Sequence, residues 1–369
     1  MRSKLIFVIL LFLQLYSGVL AQNEEASPYD NITADNVNNL TEIAVATCEG
    51  DTHHASASFY GDTFAYACFN RENGVDQNPV IRAISLETGA EHWQLETSRF
   101  VRDFELLDHD LALLNLQSRA DIYRIGNSEA LFSQDFVAHA NLVLSPDRQL
   151  MALITGDFDS GTVQIYQLPD LTLIEQAFTV EDSQNARIAL SAQGLLAVAE
   201  TNNRIRIYDI DSGTVLMEVY GTSHRPELQS EAMNSFPVEE NHYFGDIIFS
   251  PSGATLLIEE CTFISMGCWE VGLTQFDIET GDILNSLILP YSNYNFIGFT
   301  DDNHLLASDY CNEVSGIFGL ETFSHVPVPH HIDAQCFQGW VTLSDDNRLI
   351  ALYDYSEAES SYTIYGIPR

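Results

Sequence analysis

The sequence predicts an all-β protein: a seven-bladed β-propeller of four-stranded antiparallel blades, closed by an N-terminal strand that joins the last blade. Three observations lead to this fold class. Short turn-bounded strands recur in the same order, the first turns of successive units are spaced like propeller blades, and the last unit is one strand short. Apolar and polar residues alternate within the strands without a sustained helical period, which argues against an α/β fold.

The repeat is clearest in the middle of the chain. Residues 141–180 form an apolar strand, a Ser-Pro-Asp turn, a second apolar strand, an aromatic-centred third strand and a fourth strand, and residues 186–220 and 246–289 repeat this order. The first turns are predicted at Gly61, Asp108, Ser145, Ser191, Ser250, Thr300 and Ser344. Their gaps of 37 to 59 residues cluster near the roughly 40 to 50 residues of a four-stranded blade.

The two ends of the chain complete each other. The last unit has only three predicted strands before the chain stops at Arg369. Residues 41–47 precede the first complete unit and have no other partner, so we assign them as the outer strand of the last blade. Closure of this kind leaves only short, protected blade edges.

Two of the third strands carry motifs that resemble a known repeat. Residues 207–213 (Ile-Tyr-Asp-Ile-Asp-Ser-Gly) and 275–281 (Gln-Phe-Asp-Ile-Glu-Thr-Gly) resemble the Leu-Trp-Asp-x-x-x-Gly segment of WD40 repeats, and the Ser-Pro-Asp-like turns are similar too. The resemblance implies a degenerate WD40-like propeller. Its Trp-Asp pairs correspond to Tyr208 with Asp209 and to Phe276 with Asp277. Across the seven units the Trp position is held by Ile84, Tyr123, Tyr166, Tyr208, Phe276, Phe318 and Tyr365.

The N-terminus predicts export of the chain, as a bacterial-type secreted or periplasmic protein. Arg2 and Lys4 precede the apolar run 5–15, which is short for a membrane span, and small residues end at Ala21. We therefore assign residues 1–21 to a signal peptide, 22–35 to an N-terminal linker and 36–369 to the propeller. An uncleaved membrane anchor is the alternative.

The charge of the chain limits its partners. The formal net charge is −38, from 53 acidic and 15 basic residues, and the single lysine is Lys4. An anionic surface repels phosphate backbones and anionic lipid headgroups, so we expect neither nucleic acid nor a membrane as a partner after signal cleavage. The charge is also typical of a soluble exported monomer, and this interpretation is favoured over a specific cationic ligand.

The cysteine count predicts disulfides. Six cysteines lie beyond the predicted signal peptide, and an even number in an oxidising compartment favours pairing. Counting permits fifteen pairings. We expect these cysteines on one face of the ring, where second strands end and loops lead into first strands. Our preferred set joins cysteines that are neighbours on this face: Cys48 with Cys68, Cys261 with Cys268, and Cys311 with Cys336.

Two residue patterns raise the question of a metal. Histidines gather before the first strands of several blades, and they suit either zinc or copper or a structural hydrogen bond within the blade, which the WD40 resemblance implies. Acid-rich turns at 157–159, 209–211 and 279–282 raise calcium, although Asp, Ser and Gly also favour hairpin turns. We assign no metal site and expect no cofactor, with Ca²⁺ left open.

The segment 221–241 departs most from the repeat. It contains His224, Arg225, Met233 and Phe236, and a mixed apolar and charged insertion on a rigid scaffold suits a recognition loop. An ordinary insertion without function is the alternative.

Three functions remain open at this point. The first is a binding scaffold for a protein or another extracytoplasmic ligand through the loop face, since no catalytic motif is found in the chain. The second is a metal-dependent propeller hydrolase or lactonase, whose site would be built from scattered loop residues. The third is a quinoprotein-like dehydrogenase, because residues 81–93 look like a quinoprotein repeat.

Overall fold

A computed structural model shows how the chain folds. It describes residues 28–48, 52–72, 75–76, 80–97, 101, 103–116, 118–127, 129–137, 142–200, 204–221, 242–264, 267–290, 294–309, 314–321, 325–327, 341–344, 346–355 and 360–369. The predicted signal peptide, Cys311, Cys336 and the predicted recognition residues of 222–241 lie outside these ranges. In the described part, no helix is long and apolar enough to cross a membrane.

The strands form seven consecutive antiparallel sheets. Before the first blade come β1 (Tyr29–Asp30), a 3-10 helix (Val37–Asn39) and β2 (Thr41–Cys48). Blade 1 contains β3 (Thr52–Tyr60), β4 (Thr63–Glu72), β5 (Val75–Asp76), β6 (Val80–Ser85) and β7 (Glu91–Glu96). Blade 2 contains β8 (Asp103–Leu106), β9 (Leu111–Asn115), β10 (Arg119–Arg124) and β11 (Ala130–Asp135). Blade 3 contains β12 (Leu142–Leu144), β13 (Leu150–Gly156), β14 (Ser160–Gln167) and β15 (Thr172–Glu181).

Blades 4 to 7 continue the same order. Blade 4 contains β16 (Arg187–Leu190), β17 (Leu195–Ala199), β18 (Arg204–Asp209) and β19 (Val215–Tyr220), and blade 5 contains β20 (His242–Phe249), β21 (Thr255–Ile264), β22 (Gly267–Asp277) and β23 (Ile283–Pro290). Blade 6 contains β24 (Tyr294–Asp301), β25 (His304–Asp309), β26 (Val314–Gly319) and β27 (His325–Pro327). Blade 7 contains β28 (Val341–Leu343), β29 (Leu349–Tyr355) and β30 (Ser360–Pro368). The predicted all-β, seven-bladed class with four antiparallel strands per blade is confirmed.

The first strands of the blades surround the axis of the ring. Strand β3 contacts β8, β12 contacts β16, β16 contacts β20, and β24 contacts β28. Strand β28 of the last blade then contacts β3 of the first, so the ring is closed on its inner side as well.

The N-terminal strand supplies the missing outer strand of blade 7. β2 pairs antiparallel with β30, from Thr41 opposite Gly366 to Cys48 opposite Ser360, with a register shift between Glu42 and Ala44. The predicted closure is therefore confirmed, and blade 7 contains both ends of the propeller chain.

The end of the segment assigned as a linker, 22–35, contacts the last blade. Tyr29 and Asp30 form β1, which pairs with Pro368 and Ile367 at the end of β30, and the Ile32 side chain is buried. The Asp30 carboxylate also accepts a bond of 3.1 Å from Arg369 Nε. A two-residue strand is too short for alternation to reveal, which is why residues 28–35 read as a linker in the sequence.

Seven apolar clusters fill the seven interfaces between blades. Each contains the third-strand residue that stands at the WD40 Trp position of one blade, packed toward the preceding blade. Tyr208 packs against Phe178 of blade 3, with ring centroids 4.9 Å apart, and Phe276 is fully buried between blades 4 and 5. Burial of these apolar side chains supplies the main favourable term in folding.

A buried serine organises the first turn of four blades. The side-chain oxygens of Ser145, Ser191, Ser250 and Ser344 each accept a hydrogen bond from the backbone N–H of the residue that begins the second strand. These bonds are 2.9 to 3.1 Å long. Ser145 also donates to Asp147 Oδ1 at 2.6 Å. The Ser-Pro-Asp-like motif thus satisfies buried backbone donors that would otherwise be unpaired.

The two Asp residues of the WD40-like motif cap their hairpins. Asp209 Oδ1 accepts bonds from the N–H and hydroxyl of Ser212, at 2.7 and 2.6 Å. Asp277 Oδ1 accepts the corresponding bonds from Thr280, at 2.8 and 3.0 Å. These hydrogen bonds hold the pKa of both carboxyls below the usual value. The acid-rich turns at these positions therefore have a structural role in the hairpins.

The cysteine predictions are only partly covered by the described residues. Cys48 ends β2, is buried and is disulfide-bonded, and its partner lies outside the described side chains. Cys68 lies on β4, opposite Ala55. Cys261 and Cys268 lie on the adjacent strands β21 and β22, where their Cα partners are Val271 and Phe263. All three pairings stay predictions.

Replacing Ile364 by Ala tests the closure of the ring. Ile364 is fully buried in the cluster between blades 7 and 1, so Ile364→Ala leaves a cavity, and we expect it to lower the free energy of unfolding by about 2–5 kcal/mol. The matched control is Val45→Ala on β2, where the side chain is 50% exposed; it should cost less than about 0.5 kcal/mol. Urea denaturation measures both, and equal costs would contradict the role of this interface.

Candidate binding face

The loops between second and third strands, together with the connections between blades, emerge on one face of the ring. We call this the loop face; the other face carries the first-strand turns and the hairpins between third and fourth strands. On the loop face of blades 3 and 4, the connection 181–186 is bonded both to a loop with an exposed aromatic side chain and to a buried carboxylate that is held by two arginines. The residues that build this platform are 157–160, 181–186, Glu200, Arg204 and Arg206.

Phe158 is the exposed aromatic residue of the platform. It lies between Asp157 and Asp159 in the loop joining β13 to β14, and 54% of its surface is exposed. Both flanking carboxylates are also exposed. In the sequence this segment is one of the acid-rich turns, and no pattern there marks Phe158 as a binding residue.

The Phe158 loop is held by the connection from blade 3 to blade 4. The buried Ser183 hydroxyl donates to the carbonyls of Asp157 and Phe158, and the Gln184 N–H donates to the Phe158 carbonyl at 3.2 Å. The Asp182 N–H donates to the Asp159 carbonyl at 2.9 Å. Because these bonds fix the backbone on both sides of Phe158, the aromatic ring is presented by a rigid loop.

Glu200 anchors the other side of the platform. Its side chain is buried, with Oε2 accepting from Arg204 Nε and Nη2 at 2.9 and 2.6 Å, and Oε1 accepting from Arg206 Nη2 at 2.7 Å. Oε1 also accepts from the Glu181 N–H at 3.0 Å, which joins blade 4 to the end of β15. The Glu200 carboxylate raises the pKa of Arg204 through hydrogen bonding and charge. A buried carboxylate paired with two guanidinium groups fixes this connection.

Arg206 connects the hydrogen bonds around Glu200 to the Tyr208 ring. Its guanidinium lies 5.6 Å from the Tyr208 ring centroid and donates to the Thr179 carbonyl at 3.3 Å. The ring at the WD40 Trp position is therefore linked to the platform. The predicted recognition segment 222–241 follows Gly221 of the same blade 4, outside the described residues.

A second group of charged side chains lies near the ring axis, where a bulge interrupts β20. The register shifts between Phe244 and Ile247, and the Asp246 N–H donates to Glu259 Oε2 at 3.1 Å. A Cβ at Gly245 would lie 2.4 Å from Glu259 Oε2, so a larger residue here would require the Glu259 side chain to move. Burial raises the pKa of Glu259 to about 7, and the nearby Asp246 charge adds to the effect. Burial also raises the pKa of Asp246, although that carboxylate keeps surface open to water; Arg187 opposes both shifts.

Among the described residues, no group of three or more His, Cys, Asp or Glu side chains is arranged to hold a metal ion. Six histidines form the pattern noted before the first strands of the blades in the sequence. His53 and His54 lie within β3, and His242 begins β20. His139, His330 and His331 lie outside the described ranges. Trp93 lies on the outer strand β7, partly buried against the cluster between blades 1 and 2.

Comparison with known proteins supports the architecture. No family model and no curated protein sequence matches the chain. A solved WD40 domain of coronin from Toxoplasma gondii is similar in structure, with a TM-score of 0.56 and 11% sequence identity, over 92% of this chain and 89% of that one. The chain has the seven-bladed propeller fold of that domain. At this level of identity the likeness concerns the fold alone.

The WD40 fold accounts for the position of the platform. Each blade contributes one loop between its second and third strands and one connection to the next blade on the loop face, so adjacent blades place two such segments side by side. In blades 3 and 4 these segments are bonded to each other through Ser183 and Glu200.

The raised pKa of Glu259 predicts a pH dependence of stability. A carboxyl with a folded-state pKa of about 7 against an ordinary 4.5 binds its proton more tightly when folded, so its contribution is present below pH 4.5 and is lost as the pH rises to about 7. Glu259→Gln removes the charge and keeps an acceptor for the Asp246 N–H. We expect this variant to be more stable than the wild type at pH 8, by about 2 kcal/mol, and equal to it at pH 4.

Urea denaturation between pH 4 and pH 8 measures this difference, with Glu129→Gln as the matched control. Glu129 is exposed at the hairpin between β10 and β11, so its replacement should shift stability by less than about 0.5 kcal/mol throughout. A Glu259→Gln variant whose stability parallels the wild type at every pH would contradict the assignment.

Proposed function

We propose that this chain is an exported binding scaffold that holds a protein partner on the loop face of blades 3 and 4. The observation that carries the proposal is the rigid presentation of an exposed aromatic ring, Phe158, by a WD40-type propeller. Propellers of this type commonly serve as scaffolds for protein interactions. Interfaces are centred on a few aromatic anchors whose loops are already ordered, because ordering them on binding would cost affinity.

The surroundings of Phe158 define the chemistry of the partner. Asp157 and Asp159 flank Phe158 in the chain, Glu181 pairs with Ser160, and all three acids are exposed. The whole chain carries a net charge of −38. The complementary surface is an apolar pocket for Phe158 with a basic rim, which would also be steered toward this face by the long-range field. Residues His224, Arg225, Met233 and Phe236 belong to the adjacent insertion and are proposed to extend the same interface.

Export of the chain is part of the proposal. The charged, apolar and small-residue order of 1–21 supports a signal peptide, and the disulfide at Cys48 is compatible with an oxidising compartment outside the cytoplasm. No catalytic step is proposed, and calcium remains only a candidate ligand. A metal analysis of the purified protein separates the scaffold from the metal-dependent hydrolase, because stoichiometric zinc or calcium would favour the enzyme.

Replacing Phe158 tests the proposed interface. Partners captured from the envelope of the producing cell are first identified by mass spectrometry, and the affinity of each purified partner is then measured by calorimetry. Phe158→Ala should weaken binding at least about tenfold, because the anchor is lost, and leave thermal stability unchanged, because the side chain is exposed.

The matched control for this experiment is Leu173→Ala on β15. Leu173 is 45% exposed on the outer strand of the same blade, away from the platform, so its removal should leave the affinity unchanged. A partner that binds the Phe158→Ala and wild-type proteins equally would contradict the proposed site.

The disulfide of Cys48 gives a second test, which concerns the exported form. We propose Cys68 as its partner, because β2 contacts β4 and because Phe64 and Tyr66, four and two residues before Cys68, share a cluster with Cys48. Peptide mapping of unreduced protein should recover these two cysteines in one linked peptide pair. Cys68→Ser should lower the free energy of unfolding by about 3 kcal/mol. Recovery of Cys48 linked to another cysteine would overturn this pairing.

A further inference from the structure

A cavity on the ring axis has walls of two different kinds. Its volume is about 390 Å³, within the range of sites for small organic molecules. Blades 3, 5, 6 and 7 contribute half-buried aliphatic side chains from their inner strands: Leu142, Val143, Leu144, Ile248, Ile297 and Leu343. Blade 2 contributes two carboxylates, Asp103 and Glu105, from its inner strand β8.

The two carboxylates are held in position by the inner strand of blade 1. The Ser56 hydroxyl donates to Asp103 Oδ1, and the Ser58 hydroxyl donates to Glu105 Oε2 at 2.6 Å. Ser58 Oγ also accepts from the Leu106 N–H at 3.0 Å, which fixes the serine itself. Both acids are therefore ordered on one side of the cavity, and neither has to be positioned by a ligand.

Arg148 borders the cavity on the side of Glu105. Its guanidinium donates to the Leu106 carbonyl, lies 3.7 Å from Glu105 Oε2 and sits 5.5 Å from the Tyr60 ring centroid, with 8% of the side chain exposed. Among the described residues that line the cavity, two are acidic and one is basic.

We propose that this cavity binds a primary ammonium group carried on a short aliphatic chain. The ammonium would lie beside Asp103, whose surface is exposed in the cavity, and the aliphatic chain would lie against the wall formed by Ile248, Ile297 and Leu343. A cation gains from the exposed Asp103 carboxylate in the cavity and from the field of a strongly acidic chain. An alkyl stem gains from the removal of apolar surface from water.

No side chain beyond the predicted signal peptide can supply this ligand. The only lysine of the chain is Lys4, which lies in the predicted signal peptide, so a second mature copy could not supply a primary ammonium from a side chain. A free aliphatic amine and a lysine side chain of another protein share the required chemistry. This site is separate from the Phe158 platform, and its test is independent of the proposed scaffold function.

Calorimetry of the full mature protein with three ligands of equal length tests the proposal. n-Pentylamine should bind, while 1-pentanol, which lacks the charge, and pentanoate, which reverses it, should bind at least about tenfold more weakly. This comparison requires no variant. Equal binding of pentanol and pentylamine, or no detectable binding of pentylamine, would overturn the proposal.

Two substitutions locate the ligand in the cavity. Asp103→Asn keeps the acceptor for Ser56 and removes the charge, and it should weaken pentylamine binding about tenfold while Glu129→Gln leaves it unchanged. Leu343→Ser should reduce the preference for pentylamine over methylamine, because it removes part of the aliphatic wall. Unchanged affinities in both cavity variants would place the amine elsewhere and sink the assignment.

A lysine-containing tripeptide distinguishes the two sources of the ligand. Binding tighter than that of pentylamine supports a side chain of a partner protein. Exclusion of the tripeptide, with pentylamine still bound, supports a free amine.

Discussion

The pairing of β2 with β30 is the constraint on which the rest of the structure depends. Seven sheets arranged side by side have two open ends, and each open end would expose an apolar face of the kind that fills the seven clusters between blades. Pairing of the two ends within one blade removes both exposed faces at once. Contact of β28 with β3 completes the closure on the inner side.

Closure also fixes the positions at which chemistry can take place. Because each inner strand is held by its neighbours, Asp103 and Glu105 face an aliphatic wall contributed by blades on the other side of the axis. The platform on blades 3 and 4 depends on the same contacts between neighbouring blades: the Ser183 and Glu200 bonds hold the backbone at Phe158 and the connection to blade 4 against each other. A scaffold of this kind can present an aromatic side chain at low entropic cost.

Much of the fold is predictable from the sequence, since period-two alternation and regularly spaced turns are local signals. The last blade lacks a fourth strand after residues 361–367, and the strand at 41–47 has no partner in the first blade. Together these two observations predict the closure. The short strand at Tyr29 and Asp30 could not be predicted, because two residues carry no period. Ser145 and Asp209 lie in turns whose hydrogen bonds join residues only a few positions apart, so these turns can be recognised in the sequence.

The candidate sites depend on contacts between distant residues, and a single sequence does not report such contacts. Phe158 appears in the sequence only as part of an acidic turn, since the serine that holds it lies 25 residues later in the next blade connection. In the sequence, nothing distinguishes Glu200 from the other acidic residues. Its role appears only in the fold, where β18 places two arginines against its carboxylate. The two walls of the axial cavity come from five blades, so their difference in polarity emerges only when the ring is closed.

Native-state hydrogen exchange of the β2 amides tests the closure most directly. If β2 is an integral strand of blade 7, its hydrogen-bonded amides should exchange only through global unfolding, with the same free energy as the amides of β30 and of the inner strands. Exchange of the β2 amides through local opening, at a free energy well below that of β30, would show that the ring is stable without this strand and would contradict the account.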